Sequence, residues 1–88
     1  MARRRGATKM PVVFRHDGYK FFFYSNEGDP REPVHIHVRK GEAVAKFWIG
    51  PVNLAASDGF DAKTLRLLAR LIEERSVLIE RTWHDYFG

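Results

Sequence analysis

The chain is predicted to be an α+β domain, in which two β-hairpins form an antiparallel sheet and one or two C-terminal helices pack on one face of it. Short β-branched and aromatic runs separated by turn residues fill the first half, which is typical of hairpins. Apolar residues between Asp61 and Phe87 instead recur at the spacing of a helix. With 88 residues, the chain is long enough for one modest core and therefore for one domain.

Each hairpin is indicated by a turn between two strand-like runs. Asp17-Gly18 separates VVFRH from YKFFFYS, and Asp-Gly in such a place is a strong hairpin signal. The loop NEGDPREP follows, and Gly41-Glu42 then separates VHIHVRK from AVAKFWI. We expect Gly50-Pro51 to end the second hairpin and VNLAASDGF to connect it to the helical segment.

The helical segment is predicted to begin just after Asp61. An aspartate in this position is a preferred N-cap, because its carboxylate accepts hydrogen bonds from the first backbone N–H groups of a helix. The stretch EERS, residues 73–76, is a point at which the segment could kink or divide into two helices.

Alternation along the strands sorts the side chains of both hairpins onto two faces. A two-residue turn at Gly41-Glu42 places His37 opposite Lys46 and His35 opposite Trp48. The inner face is then apolar, begins with Val12 in the first hairpin, and packs on the helices. The outer face has no carboxylate and combines basic groups with aromatic rings: Arg15, Lys20, Phe22, Tyr24, His35, His37, Arg39, Lys46 and Trp48.

Such an outer face suits the binding of a polyanion, with RNA as the first choice. The cations Arg15, Lys20, Arg39 and Lys46 would neutralise phosphates. The rings of Phe22, Tyr24 and Trp48 would stack on bases. In the alternative interpretation, the aromatic face is a non-enzymatic docking surface for a partner protein, because a patch of large aromatic residues is seldom uncovered on a monomer.

The His-x-His pair has three interpretations. His35 and His37 would act as general acid and base on an RNA 2′-hydroxyl, since two imidazoles supply both proton-transfer roles near neutral pH. They would also reach a common metal ion, although the pair alone is an incomplete site and no metal or other cofactor is assigned from it. A purely structural role is the third interpretation, and whether the protein is an enzyme is left open. The candidates for a third metal ligand are Glu27, Asp29, Glu32, His16 and His84.

The net charge of +4 comes from the first nine residues, which contain Arg3, Arg4, Arg5 and Lys9. Residues 1–9 are predicted to be a disordered basic extension, either dispensable or attracted to phosphates, and residues 10–88 the folded domain. The absence of cysteine excludes disulfides and thiolate chemistry. No apolar run is long enough to span a membrane, so we expect a cytoplasmic protein without a membrane partner.

The elements FFFYSNEG, EPVHIHV, AKFWI and a terminal W..YFG together resemble a family of small bacterial domains of unknown function, family 4160. The resemblance extends from Met10 to Gly88 and implies no established reaction or ligand. It implies membership of a two-gene, toxin-antitoxin-like module, with the product of a neighbouring gene as partner. The sequence thus predicts a module component that binds or acts on RNA; whether it also forms a homo-oligomer is left open.

Overall fold

The computed structural model describes residues 9–28 and 30–88, which form one five-stranded antiparallel sheet followed by two helices. The strands are hydrogen-bonded in chain order, so each pairs with its sequence neighbour. The predicted α+β class, with helices after an antiparallel sheet, is confirmed. The elements are β1 (Val12–His16), β2 (Tyr19–Phe22), β3 (His35–Lys40), β4 (Ala43–Trp48), β5 (Asn53–Asp58), α1 (Ala62–Glu74) and α2 (Ser76–Phe87).

The register predicted for the second hairpin is confirmed. His37 pairs with Lys46 and His35 pairs with Trp48 across β3 and β4. The two hairpins join through β2 and β3, where Phe22 lies opposite His37. Because opposed residues point to the same side, the outer faces of the two hairpins become one continuous surface.

The fifth strand is a correction to the predicted two hairpins. Residues 53–58 were expected to be part of a connection, but they form β5, which pairs antiparallel with β4. Gly50, with a φ of 83°, allows the tight reversal between β4 and β5. The strand was missed because NLAASD contains no aromatic residue and none that is β-branched. It is exposed along its whole length at the edge of the sheet.

A second correction concerns the start of β1. Strict alternation predicted that Val12 lies on the inner face, but an irregularity between Val12 and Phe14 shifts the register there. Val13 consequently packs against the core, whereas Val12 is exposed. A β-bulge of this kind inserts one residue into the alternation and reverses the facing of what precedes it.

The two helices pack their apolar sides on the inner face of the sheet. The side chain of Asp61 accepts a hydrogen bond from the backbone N–H of Thr64 at 2.8 Å, as predicted for an N-cap. The helical segment divides at Arg75, within the predicted stretch. The buried core between the layers consists of Phe21, Phe23, Ile36, Val38, Ala45, Phe47, Leu68, Ile72, Ile79 and Trp83.

Neither helix in the described part of the chain is long and apolar enough to cross a membrane. Apart from Lys9, the basic extension predicted at the N-terminus lies outside the described residues. The backbone of Lys9 is hydrogen-bonded to Ser25: its carbonyl accepts from the Ser25 N–H, and its own N–H donates to Ser25 Oγ.

Candidate functional site

The loop between β2 and β3 brings a carboxylate to the two histidines. It contains a 3₁₀ turn, Ser25–Glu27, that is closed by two reciprocal hydrogen bonds. The backbone N–H of Tyr24 donates to Glu27 Oε1 at 3.0 Å, and the Glu27 N–H donates to the carbonyl of Tyr24 at 3.1 Å. This arrangement turns the Glu27 side chain inward, so the residue is only 7% exposed.

Glu27, His35 and His37 form a compact cluster at the start of β3. Glu27 Oε2 lies 2.6 Å from His37 Nε2 and 2.8 Å from His35 Nε2. One carboxylate oxygen therefore faces both imidazole rings, whose centroids are 5.0 Å apart. Of the three loop carboxylates named from the sequence as candidate metal ligands, Glu27 joins the pair, while Asp29 lies outside the described residues.

The carboxyl group of Glu27 is held in its ionised form. Burial acts to raise the pKa of Glu27, but the contacts with His35 and His37 and the hydrogen bond from the Tyr24 N–H outweigh burial. Together they hold the pKa of Glu27 well below its usual range. At neutral pH the cluster thus contains a buried anion between two imidazoles.

His35 is fully buried. Its Nδ1 lies 2.8 Å from the carbonyl oxygen of Pro33, and its ring lies 5.0 Å from that of Trp83 and 5.6 Å from that of Trp48. The sequence predicted the correct face but expected an accessible side chain. Because Trp83 and the loop cover this end of β3, His35 has no exposed surface on which a nucleotide could contact it.

Phe22 is also on the predicted face and is also buried, with 1% of its surface exposed. Its ring stacks on that of His37 at a centroid distance of 5.6 Å, and the ring of Tyr24 packs edge-on against both. The side chain of His37 keeps 17% of its surface accessible. Within the cluster, His37 is the histidine that a ligand can approach.

A row of cations crosses three neighbouring strands beside the cluster. Arg15 is directly opposite Lys20, and Lys20 is directly opposite Arg39. Lys46 differs, because its ammonium group lies 3.6 Å from Glu32 and 4.4 Å from the ring centroid of Trp48. Lys46 thus has an acidic partner and covers the face of Trp48 that stacking would need.

A cavity of about 410 Å³ opens on the outer face. Its walls include the predicted site residues Tyr24, His37, Arg39 and Lys46. Asp58 of β5 also lines it, so the prediction of an outer face without carboxylates is wrong. The added strand and the β2–β3 loop each bring an acid to a surface that the two hairpins alone would make entirely basic.

Comparison with protein families gives a match over most of the chain. The model of DUF4160, a domain of unknown function, matches residues 18–84. The chain belongs to this family. The residues matched by the DUF4160 model include Glu27, His35 and His37, and of the cation row they include Lys20 and Arg39. Neither the search of curated proteins nor that of solved structures gives a significant match.

Two residues that shape the DUF4160 site were not singled out from the sequence. Glu27 was one of several candidate third ligands, and Trp83 appeared only in the terminal W..YFG of the family resemblance. A signal for Glu27 was present in the sequence, because a Glu three residues after the N-cap of a helical turn, here Tyr24, can reach back to the N-cap backbone N–H. The contact between Trp83 and His35 depends on how α2 is placed and has no local signal.

Proposed function

We propose that the outer face of the sheet binds the phosphate backbone of single-stranded RNA. The observation that supports this proposal is the row of Arg15, Lys20 and Arg39. Like charges directly opposite each other on neighbouring strands destabilise a sheet. A row of three such residues is therefore unfavourable in the free protein and favourable when phosphates lie across it.

The cavity beside the row gives the surface a place for a base. Its volume of about 410 Å³ lies within the range of small-molecule sites, roughly 300–1,000 Å³. Arg39 belongs to both the row and the cavity wall, where Tyr24 and His37 offer ring edges and a hydrogen-bonding nitrogen. A chain of phosphates along the row would thus place one nucleotide at the cavity, which favours single strands over duplexes.

Direct acid–base catalysis by both histidines is not part of this proposal, because His35 is enclosed. The family resemblance adds a cellular context: we propose a cytoplasmic bacterial protein that works with the product of a neighbouring gene in a toxin-antitoxin-like pair. In that context RNA binding is the activity that the partner protein would block.

The test is fluorescence anisotropy with a short labelled oligouridine, titrated at low and at physiological salt. Arg3, Arg4 and Arg5 are first changed to Gln, so that the N-terminal charges do not mask binding by the sheet. In this background Arg39→Gln is expected to weaken binding and to lower the slope of log affinity against log salt by about 1. Arg70→Gln, which removes the same charge from the exposed side of α1, is the matched control.

Equal effects of Arg39→Gln and Arg70→Gln would show that binding is unspecific attraction to a basic protein and would contradict the proposal. So would the loss of all RNA binding in the Gln background. If that background protein instead binds the purified neighbouring gene product, and Tyr24→Leu or Trp48→Leu prevents it, the outer face is a protein-docking surface.

A further inference from the structure

The hydrogen bonding of His35 leaves one of its ring nitrogens unexplained. Nδ1 lies 2.8 Å from the carbonyl oxygen of Pro33, and a carbonyl only accepts, so Nδ1 carries a hydrogen. In the neutral ring, Nε2 then carries a lone pair and no hydrogen. This lone pair lies 2.8 Å from the carboxylate oxygen of Glu27, which also has only lone pairs to offer.

A cation must lie between two such groups for the contact to be favourable. A proton on Nε2 makes this contact favourable, as the effect of His35 on the pKa of Glu27 requires, but Nε2 is still a buried nitrogen without a well-directed hydrogen bond to any described residue. Glu27 Oε2 is also the atom that His37 Nε2 contacts at 2.6 Å. A metal ion bound to all three atoms removes both difficulties, because it need not lie on a line between any two.

The positions of the three atoms suit a small divalent ion. Glu27, His35 and His37 each offer one ligand atom, and these atoms lie within 4.8 Å of one another. Tetrahedral ligands at about 2.0–2.1 Å from zinc are separated by roughly 3.3 Å. The carboxylate–imidazole distances of 2.6 and 2.8 Å therefore need to open by only about 0.5–0.7 Å, which small side-chain rotations allow.

The groups around the cluster are those that commonly support metal ligands. A ligating histidine usually donates its other ring N–H to a carbonyl or carboxylate, as Nδ1 of His35 does to Pro33. The second oxygen of Glu27 accepts from the backbone N–H of Tyr24, which orients Oε2 toward the imidazoles. Rings of Phe22, Trp48 and Trp83 enclose the cluster and reduce its contact with water.

We propose that Glu27, His35 and His37 form a binding site for Zn²⁺. Two imidazoles and one carboxylate are a ligand set that binds catalytic zinc, in which a fourth position is left for water or a ligand. His37 also lines the outer-face cavity, so that position adjoins the space in which a ligand would bind. The site does not rest on RNA binding, and Arg39→Gln is expected to leave zinc affinity unchanged.

The test is calorimetric titration of the full-length protein, without an affinity tag and after treatment with a chelator, with Zn²⁺ alone. Equimolar binding is expected. Glu27→Gln keeps the size of the side chain but removes its charge, and it should weaken the affinity at least tenfold, as should His37→Asn. Glu73→Gln and His84→Asn remove an exposed acid and an exposed histidine of the helices, and they should bind as the parent protein does.

Cobalt provides a readout that does not depend on the variants. Co²⁺ in place of Zn²⁺ should give the intense visible absorption of a four- or five-coordinate ion rather than the weak spectrum of the hexahydrated one. Failure of the parent protein to bind either ion would overturn the proposal. Equimolar binding that survives both Glu27→Gln and His37→Asn would also overturn it, because the ion would then lie elsewhere on the chain.

Discussion

At the scale of single residues, the two histidines of one strand face have different environments. His35 lies under Trp83 with both ring nitrogens next to protein oxygens, whereas His37 reaches the cavity. Sequence alternation correctly assigned the two residues to one face. It could not distinguish them, because the covering groups come from a loop and from a distant helix.

This difference predicts unequal costs when each histidine is truncated. His35→Ala leaves a cavity in the interior and removes a partner of the buried Glu27 carboxylate, so we expect it to lower the free energy of unfolding by about 2–4 kcal/mol. His37→Ala, at a partly open position, should cost about 1 kcal/mol. Urea unfolding in the presence of a chelator, with the exposed His84→Ala as control, measures both. Equal losses for His35→Ala and His37→Ala would contradict the buried position of His35.

At the scale of elements, α1 depends on the carboxylate at its N-terminus. The hydrogen bond from Thr64 lowers the pKa of Asp61 from its usual 3.8. A pKa that is lower in the folded than in the unfolded protein stabilises the fold at pH values above the unfolded-state pKa. That stability is lost as the pH falls below about 3.8. Asp61→Ala should therefore lower the melting temperature by a few degrees at neutral pH, and the difference should shrink in acid. Asp61→Asn keeps a capping oxygen, so its melting temperature at neutral pH should lie between those of the parent protein and Asp61→Ala. A difference between the parent and Asp61→Ala that does not change with pH would refute the role of the Asp61 carboxylate as the N-cap.

The end of α2 holds the loop that carries Glu27. Arg31 donates to the carbonyl oxygens of Phe87 and Gly88 at 2.6 and 3.2 Å, and a Cβ added at Gly28 would overlap the ring of Phe87. Gly28→Ala should therefore destabilise the protein by about 1–3 kcal/mol. The double variant Gly28→Ala/Phe87→Leu should be more stable than the sum of the single changes predicts, and thermal melts of all four proteins measure this coupling. Strict additivity would show that the loop and helix end are independent.

The sequence predicted the elements better than their mutual placement. Register in the second hairpin followed from a tight turn and a two-residue period, both of which are local. The fifth strand was missed because its pairing depends on β4 rather than on its own composition. The burial of His35 likewise depends on Trp83, which contacts its ring from the far end of the chain.

At the scale of the whole molecule, the net charge of +4 comes from residues 1–9, whereas the folded domain is formally neutral but has an uneven distribution of surface charge. Residues 10–88 contain eleven acidic and eleven basic residues, yet Arg15, Lys20 and Arg39 lie side by side.

If the protein acts in a toxin-antitoxin-like pair through RNA, its expression alone should slow the growth of a bacterial host. Arg39→Gln should relieve this effect while Arg70→Gln does not, at equal protein levels by immunoblot. Equal toxicity of both variants would separate growth inhibition from the cation row.

A loop turn, a strand pair and the end of a helix all contribute residues to the cluster of Glu27, His35 and His37 or to its surroundings. The most direct test of this account is diffraction from crystals grown with equimolar Zn²⁺, measured on both sides of the zinc absorption edge. We predict one strong anomalous peak, at about 2.0–2.2 Å from His35 Nε2, His37 Nε2 and a carboxylate oxygen of Glu27. A peak at His16 or His84 instead, or no peak next to His35, would contradict it.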